Sequence, residues 1–407
     1  MNFENKKISE LNIELIDGDR GKNYPKNEEI TEKGYCLFLN AKNVTSNDFN
    51  FNELNYISED KDKILHNGKA KRRDIILTTR GTVGNIAYYS EKIPYNNIRI
   101  NSGMIIIRCS DQINEKYLYW YMKSKIFQNQ IKELQTGSAQ PQLPISIIKN
   151  MNVRICEKHL QNKIVTILDT IQQKIDLNIH TNNNLYEILD NIFKEKYLNN
   201  ERYNSWEEVT LDDITSKFAT GLNPRKNFVL GHGSNYYVTI KNMQNNNVIL
   251  NDKCDKIDDE AILKINRRSD LKVGDLLFSG IGTIGRVYLI KDVPYNWNIS
   301  ESIFTIRPNE KCSSEFLYLL LLNKNMQNYA VNKASGSVQK GIRMADLKQF
   351  KVKLPTNNEM QDFTDIIKPI IDRIYNKTKQ NEKLEIIRNT LLPKLMNGEI
   401  DLDKIEV

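Results

Sequence analysis

Four short motifs of this 407-residue chain occur twice, in the same order, about 200 residues apart. CLFLNAKNV, from Cys36, parallels YYVTIKNMQ, from Tyr236, and pairs Lys42-Asn43 with Lys241-Asn242 at an offset of 199. RDIILTTRGTVG, from Arg73, parallels GDLLFSGIGTIG, from Gly274, and pairs Asp74 with Asp275 at 201. IPYN at Ile93 matches VPYN at Val293 at 200, and GSAQ at Gly137 matches GSVQ at Gly336 at 199. One such match can arise by chance. Four in order at nearly one period mean a duplicated unit, and duplication constrains a fold more than any local propensity.

Each copy has the same internal sequence of patterns. Short β-like runs come first: Ile75–Thr79 and Met104–Arg108 in one copy, Leu276–Ser279 and Ser302–Arg307 in the other. One amphipathic helix follows, EKYLYWYMKSKIFQNQIKEL or SEFLYLLLLNKNMQNYAV. The GSxQ loop then enters a last strand, Met151–Ile155 or Phe350–Leu354, and a long helix closes the copy. The fold class expected is α+β: two tandem pseudo-repeats, each a β-rich domain followed by a long helix. The expected boundaries are 1–155, 156–200, 201–355 and 356–407.

The first long helix is read from about Glu157 to Leu198, a stretch with neither Gly nor Pro. Ile164, Ile167 and Ile171, then Leu185, Ile188 and Ile192, keep the 3-4 spacing of a coiled-coil seam. The second runs from about Asn358 to Met396, with Phe363, Ile367, Ile370, Ile374, Leu384 and Leu391 on its stripe. Pro369 should kink this helix or mark its first turn, and Gly398 should stop it. Both stripes turn polar at mid-length, at Lys174, Asn178 and Thr181 and at Lys377 and Asn381. An antiparallel coiled coil would set the two polar centres together and place the two β-rich domains at opposite ends of the rod.

Composition matters mainly for what it excludes. Hydrophobic residues make up 40% and charged residues 27%, and no apolar run reaches the roughly 18 residues of a membrane span. The first residues, MNFENKKISELNIEL, lack a signal peptide's apolar core, so a cytoplasmic protein is expected. Five cysteines stand singly and four histidines are scattered, which gives neither a zinc pattern nor a disulfide framework. A net charge of +7 permits a polyanionic partner without requiring one.

The sequence offers no catalytic constellation. Gly280-Ile-Gly282-Thr-Ile-Gly285 has the spelling of a dinucleotide loop, but β-like RVYLI follows where a helix is needed, so a tight turn is expected. Asn223-Pro224-Arg225-Lys226 lacks the second Pro and the aromatic of an amino-methyltransferase loop, and no phosphate-binding GxxxxGK[ST] occurs. Asp60-Lys61-Asp62-Lys63 and Asp401-Leu402-Asp403-Lys404 read as solvated segments rather than nuclease sites. The repeated loops remain. Lys42, Asn43, Arg80, Gly81, Thr82, Ser138 and Gln140 in the first copy, with Lys241, Asn242, Thr283, Arg286, Ser337 and Gln339 in the second, carry side chains suited to base edges and phosphates. Turn-keeping is the stronger reading for the glycines; for Arg80, Gln140 and Gln339 the two readings stand level.

The duplicated DIILTTRGTVGN/DLLFSGIGTIGR unit, the GSAQPQL/GSVQKGI loops, the long helix after each and the ending LLPKLMNGEIDL together resemble the specificity subunit of a type I restriction-modification system. The resemblance covers nearly the whole chain. It implies two target recognition domains, each reading one half of a split sequence in double-stranded DNA, held apart by the paired helices. It further implies two methyltransferase subunits and translocating restriction subunits as partners. S-adenosylmethionine, ATP and Mg²⁺ would belong to those partners, leaving this chain non-catalytic and without a cofactor or metal of its own. The family often has Pro and then a Glu-Gln pair before each long helix; here Cys156-Glu157-Lys158-His159-Leu160-Gln161 lacks the Pro, and neither copy has the pair intact. A related system that joins methylation and cleavage in one partner chain, or a coiled-coil adaptor with no DNA role, are the alternatives.

Overall fold

The computed structural model describes residues 3–137, 140–336 and 339–404. The chain divides into two compact units, Met1–Asp176 with Asn381–Val407, and Leu177–Gln380. In the first, strands β1 (Glu4–Lys7), β2 (Ile13–Asp17), β3 (Cys36–Leu39) and β4 (Tyr56–Ile57) precede helix α1 (Glu59–Ile64). Strands β5 (Ile75–Thr78), β6 (Ile86–Tyr88), β7 (Ile98–Ile100) and β8 (Met104–Cys109) follow. Helices α2 (Glu115–Lys123), α3 (Lys125–Leu134) and α4 (Ile145–Asn150), strand β9 (Asn152–Ile155) and the long α5 (Lys158–Phe193) complete the copy.

The second copy repeats this order. It has β10 (Glu207–Thr210), β11 (Thr215–Thr220), β12 (Asn235–Val238), a short hairpin of β13 (Met243–Gln244) and β14 (Asn247–Val248), and β15 (Asp255–Ile257). Then come α6 (Asp259–Ser269), β16 (Leu276–Ser279), β17 (Val287–Leu289), β18 (Trp297–Ile299) and β19 (Ile303–Pro308). Helices α7 (Ser314–Leu322), α8 (Lys324–Lys333) and α9 (Met344–Lys348), strand β20 (Lys351–Leu354) and α10 (Asn357–Met396) close the chain.

Each unit is layered, and the strand sequences explain why. In the first, a four-stranded sheet β2-β8-β5-β6 lies against a three-stranded sheet β4-β3-β7. Successive strand residues point to opposite faces. Ile75, Leu77, Ile105 and Ile107 pack under α2 and α3 with Tyr117 and Phe127, while Ile76, Met104 and Ile106 meet Leu37, Leu39, Ile98 and Ile100 of the second sheet. A sheet covered on both sides needs unbroken apolar runs, which is what IILT and MIII supply. Strands β11-β19-β16-β17 and β15-β12-β18 repeat the plan, with Leu276, Phe278 and Ile306 under α7 and Leu277 and Ile303 against Val238 and Ile299.

The repeated aspartates have a structural role. Asp74 is buried and bound by Arg108 through two hydrogen bonds, Nε to Oδ1 at 2.9 Å and Nη2 to Oδ2 at 2.7 Å. Asp275 holds Arg307 in the same way at 2.7 and 2.9 Å. Each carboxylate also accepts a loop N–H, from Lys71 or Lys272, and so fixes the turn entering β5 or β16.

The long helices run as expected, with adjustments. Helix α5 ends in a π-helical turn, Lys194–Leu198, and α10 is continuous for 40 residues. In the first unit Gln172 meets Arg388 and the Ile175 carbonyl accepts from Asn381. In the second, Asn178 meets Gln380 at 2.8 Å and Lys377 at 3.2 Å, and Asn182 meets Thr378 at 3.1 Å. Partner numbers fall as α5 advances, so the pairing is antiparallel in both units. Helix α10 stops at Gly398, which is left-handed (φ 70°); there Gly398 N bonds Leu395 O and Glu399 N bonds Lys394 O.

Several expectations need correction. Ile164, Phe363, Ile367 and Ile374 are buried, but Ile188 is 45% exposed, and Ile167, Ile171, Leu185, Ile192, Ile370, Leu384 and Leu391 are half-buried. On α5 the buried line passes through Leu168, Ile175, Asn178, Asn182, Leu189 and Phe193. Apolar residues occupy two adjoining stripes there, and the choice between them depends on which side the folded domain covers. The polar centre is therefore Asn178 with Asn182; Lys174 is exposed. Pro369 lies well inside α10 on an exposed position, so it does not mark the first turn. The single amphipathic helix of each copy is two. Ser124 and Asn323 adopt extended backbone and cap the next helix with their side chains, as short polar residues that compete for backbone groups do. A short helix, α4 or α9, separates each GSxQ loop from the last strand. Asp62 is not solvated: it is buried in an ion-pair cluster with Arg99 and Lys69.

Candidate nucleic-acid interface

Three loops converge in each unit, and all three carry the duplicated motifs. The first is the Lys-Asn turn. After β3, Asn40 opens a 3-10 turn, Ala41–Asn43; Asn40 Oδ1 accepts from Lys42 N at 2.9 Å and Asn43 Oδ1 accepts from Asn40 N at 3.0 Å. The Asn43 amide nitrogen donates to the carbonyls of Asn50 and Glu53 at 3.1 and 2.8 Å. In the second unit Asn242 Oδ1 accepts from both Thr239 N and Thr239 Oγ1, and its nitrogen donates to Cys254 Sγ. Both asparagines are buried, with their amides used inside the loop, so they serve as loop pins rather than surface contacts. Lys42 and Lys241, one residue earlier, are exposed.

The second loop is the tip of the β5–β6 or β16–β17 hairpin. The GxGxxG spelling is thus a β-turn, with no helix after it. Thr78 Oγ1 bonds the Thr82 carbonyl and accepts from Asn85 N, and Ser279 Oγ does the same with the Thr283 carbonyl and Arg286 N. The tip is tied to the Lys-Asn turn. Asn85 Nδ2 donates to Val44 O at 2.9 Å; in the second unit Arg286 Nη1 donates to Ile240 O and Met243 O at 2.7 and 2.6 Å. Arg286 is therefore a strut, its charge directed at carbonyls. Arg80, Gly81, Thr82 and Thr283 remain exposed at the tip.

The third loop is GSxQ. Thr136 and Gln142 exchange backbone bonds at 2.9 and 2.8 Å, as Ser335 and Gly341 do at 2.9 Å each. Gln142 also bridges Arg80, and Gly341 bridges Ile281, joining this loop to the hairpin tip. Gly137 (φ 85°) and Gly336 (φ 126°) are required here: a Cβ would lie 2.7 Å from Gln140 O in one and 2.3 Å from Gln339 O in the other. Gln140 and Gln339 are exposed, while Ser138 and Ser337 lie outside the described residues.

The structure thus brings Lys42, Arg80, Gly81, Thr82 and Gln140 to one loop cluster, and Lys241, Thr283 and Gln339 to its counterpart. Each cluster also has a member outside those motifs. Gln128 Nε2 clamps the Gly84 and Met122 carbonyls at 3.0 and 2.9 Å, and Gln327 clamps Gly285 and Leu321 at 3.0 and 2.6 Å. The signal for them was present: KIFQN and KNMQN recur at an offset of 199. Among the described residues, no group of His, Cys, Asp and Glu side chains is placed to hold a metal ion, and no helix is long and apolar enough to cross a membrane.

Each unit thus presents pinned loops with at least one exposed cation, Lys42 and Arg80 in the first and Lys241 in the second. The sequence matches the family described as type I restriction modification DNA specificity domain twice, over residues 2–187 and 203–386, and the chain belongs to that family. It is 24% identical over 351 residues to the type I restriction enzyme MjaIX specificity subunit of Methanocaldococcus jannaschii, covering 81% of this chain and 78% of the relative. It is 21% identical over 462 residues to the HindI specificity subunit of Haemophilus influenzae, covering 94% and 98%. The fold is that of the type I restriction-modification S subunit from M. genitalium, with a TM-score of 0.59 at 16% identity over 97% of this chain and 96% of that one.

Proposed function

We propose that this chain is the DNA-recognition subunit of a type I restriction-modification complex and that each unit reads one half of a split target in double-stranded DNA. The observation that carries the reading is the loop cluster built twice on one framework with different residues at its tip. Side chains on short, pinned loops suit the major groove, whose edges distinguish all four base pairs. Lys42 and Lys241, exposed beside each cluster, are suited to hold phosphates and set the register.

In this reading the chain carries no catalytic group. Two methyltransferase subunits supply S-adenosylmethionine chemistry and flip the target base from the duplex. Restriction subunits supply ATP- and Mg²⁺-dependent translocation and cleavage, and the assembly works in the cytoplasm. The test is co-expression of the full chain with a methyltransferase subunit, followed by methylome sequencing. The expected result is methylation at a motif of two specified blocks separated by unread bases. A single continuous block, or no methylation beyond that of the methyltransferase alone, would contradict it.

A further inference from the structure

The two loop clusters agree in some side chains and differ in others, and the difference divides their roles. Lys42 and Lys241 occupy matching turns, and Thr82 and Thr283 occupy matching places at the hairpin tip. The neighbouring position differs. Arg80 bridges Gln142 in the first unit, and Ile281 bridges Gly341 in the second, through the same antiparallel pairing of hairpin tip and GSxQ loop. A contact to the sugar-phosphate backbone can stay alike in both units, because the backbone is the same at both half-sites. A contact to a base edge needs different chemistry wherever the half-sites differ.

Resting on the recognition reading above, we propose that Arg80 and Gln142 are the base-reading pair of the first unit, with Arg80 reading a guanine, and that the matching Ile281–Gly341 place reads no guanine. The guanidinium presents forked donors that fit guanine O6 and N7 together, a match that isoleucine lacks. Gln142, whose amide carries both donor and acceptor, stands beside it for the adjoining base; Gly341 has no side chain to offer. Ile281 presents methyl groups, which suit apolar contact with a thymine methyl.

Arg80 has the placement this role needs. Its backbone is fixed on both sides: Arg80 N and Thr79 N donate to Gly103 O at 3.1 and 2.8 Å, and Leu143 N donates to Thr79 O at 2.9 Å. Its side chain is exposed and, among the described residues, makes no ion pair. Arg80 and Gln142 line one open cleft with Asp17, Arg20 and Thr79. Arg20 is already engaged, by Asp17 at 2.9 Å and the Ser102 carbonyl at 3.2 Å, so Arg80 is the guanidinium available to a ligand there.

Methylome sequencing of cells co-expressing a methyltransferase subunit with the full chain tests this, using wild type, Arg80→Ala, Arg80→Lys and Ile281→Ala. Wild type should show a guanine in one block. Arg80→Ala should make that position degenerate, with roughly a tenfold or greater loss of discrimination, and leave the other block unchanged. Arg80→Lys should keep the guanine with weaker preference, and Ile281→Ala should loosen only the other block, at a position that is not guanine. The assignment is overturned if Arg80→Ala leaves the motif intact, or lowers methylation equally at all sites, which marks a phosphate contact. If wild type shows no two-block motif at all, the recognition reading itself fails, a result separable from failure of the guanine assignment alone.

Discussion

At one matching strand position the first unit holds its three-stranded sheet to its loops with charge, and the second uses a neutral group. Arg99, on β7, is buried and binds Asp62 through Nε at 2.5 Å, the carbonyls of Asp62 and Leu65 through Nη2, and that of Asn67 through Nη1. Lys69 joins the same carboxylate. At the matching place on β18 stands Asn298, which accepts from Ser269 Oγ at 2.7 Å. The segments beyond also differ: α1 has 6 residues and α6 has 11, and β13–β14 forms a hairpin where the first unit has only an isolated bridge, Val44 to Phe49. Both units nevertheless keep the Asp–Arg pair, the Gln clamp and the three-loop cluster. The shared parts hold the loop bases while these segments differ, so one duplicated framework can carry two unlike surfaces.

The largest expected effect tests the shared part. Asp74→Ala and Asp275→Ala each remove the buried carboxylate, leaving Arg108 with only the exposed Glu14 at 3.4 Å and Arg307 with Asp270 at 3.3 Å, which should cost about 3–5 kcal/mol. Denaturant unfolding followed by limited proteolysis should show each variant opening its own unit first, with equal losses. Unequal losses would mean that the framework is not shared in energy as it is in geometry.

Next comes the contrast itself. Arg99→Ala leaves Asp62 to Lys69 and takes the donor from the carbonyls of Asp62, Leu65 and Asn67, which should cost about as much as the framework pair, about 3–5 kcal/mol. Asn298→Ala removes neutral hydrogen bonds and should cost only ~1 kcal/mol. Similar losses on urea unfolding would remove the distinction between a charged and a neutral support.

Acid should sharpen it further. Burial alone would raise the Asp62 carboxyl, but hydrogen bonds from Lys69 and Arg99 prevail and hold it below the usual aspartate range. A carboxyl so lowered contributes stability that is complete above its unfolded value, roughly pH 4, and drains away as pH falls through the lowered folded value. Asp62→Asn should flatten that acid limb in pH-dependent melting; an unaltered limb would assign it elsewhere.

The smallest effect is expected at Asp48, which accepts from Tyr119 OH at 2.8 Å. Burial raises its carboxyl against the pull of Lys123 and Tyr119. The sign is therefore opposite: its contribution is greatest below roughly pH 4 and is lost as pH rises through the raised value. Asn247 stands at the matching position of the second unit. Asp48→Asn should give a small rise in melting temperature at pH 7 that disappears in acid; a fall at pH 7 would show that the charge is needed.

The architecture was legible because duplication and helical periodicity leave marks along the chain. Both long helices fell within about a residue of their observed starts, and the Gly280 turn was separated from a nucleotide loop by the strand after it. What escaped depended on contacts distant in sequence. The seam on α5 passes through Leu189 rather than Ile188, a shift of one residue that periodicity cannot settle when two stripes are apolar. Ser124 and Asn323 break a helix because their side chains cap the next one, a competition invisible in an apolar pattern. Asn43 and Asn242 have the chemistry of base readers, yet burial turned them inward to hold their own loops. Gln142 was passed over because its partner, Arg80, lies 62 positions away in the chain.

Paired glycine variants test most directly whether the two units read two half-sites independently. Gly137→Ala and Gly336→Ala each force a Cβ against a loop carbonyl, at 2.7 and 2.3 Å, in a backbone conformation that L-residues rarely adopt. Each should distort one GSxQ loop and leave the other untouched. Methylome sequencing of the two variants beside wild type should show Gly137→Ala degrading one block of the motif and Gly336→Ala degrading the other. Degradation of both blocks by either variant would contradict independent reading.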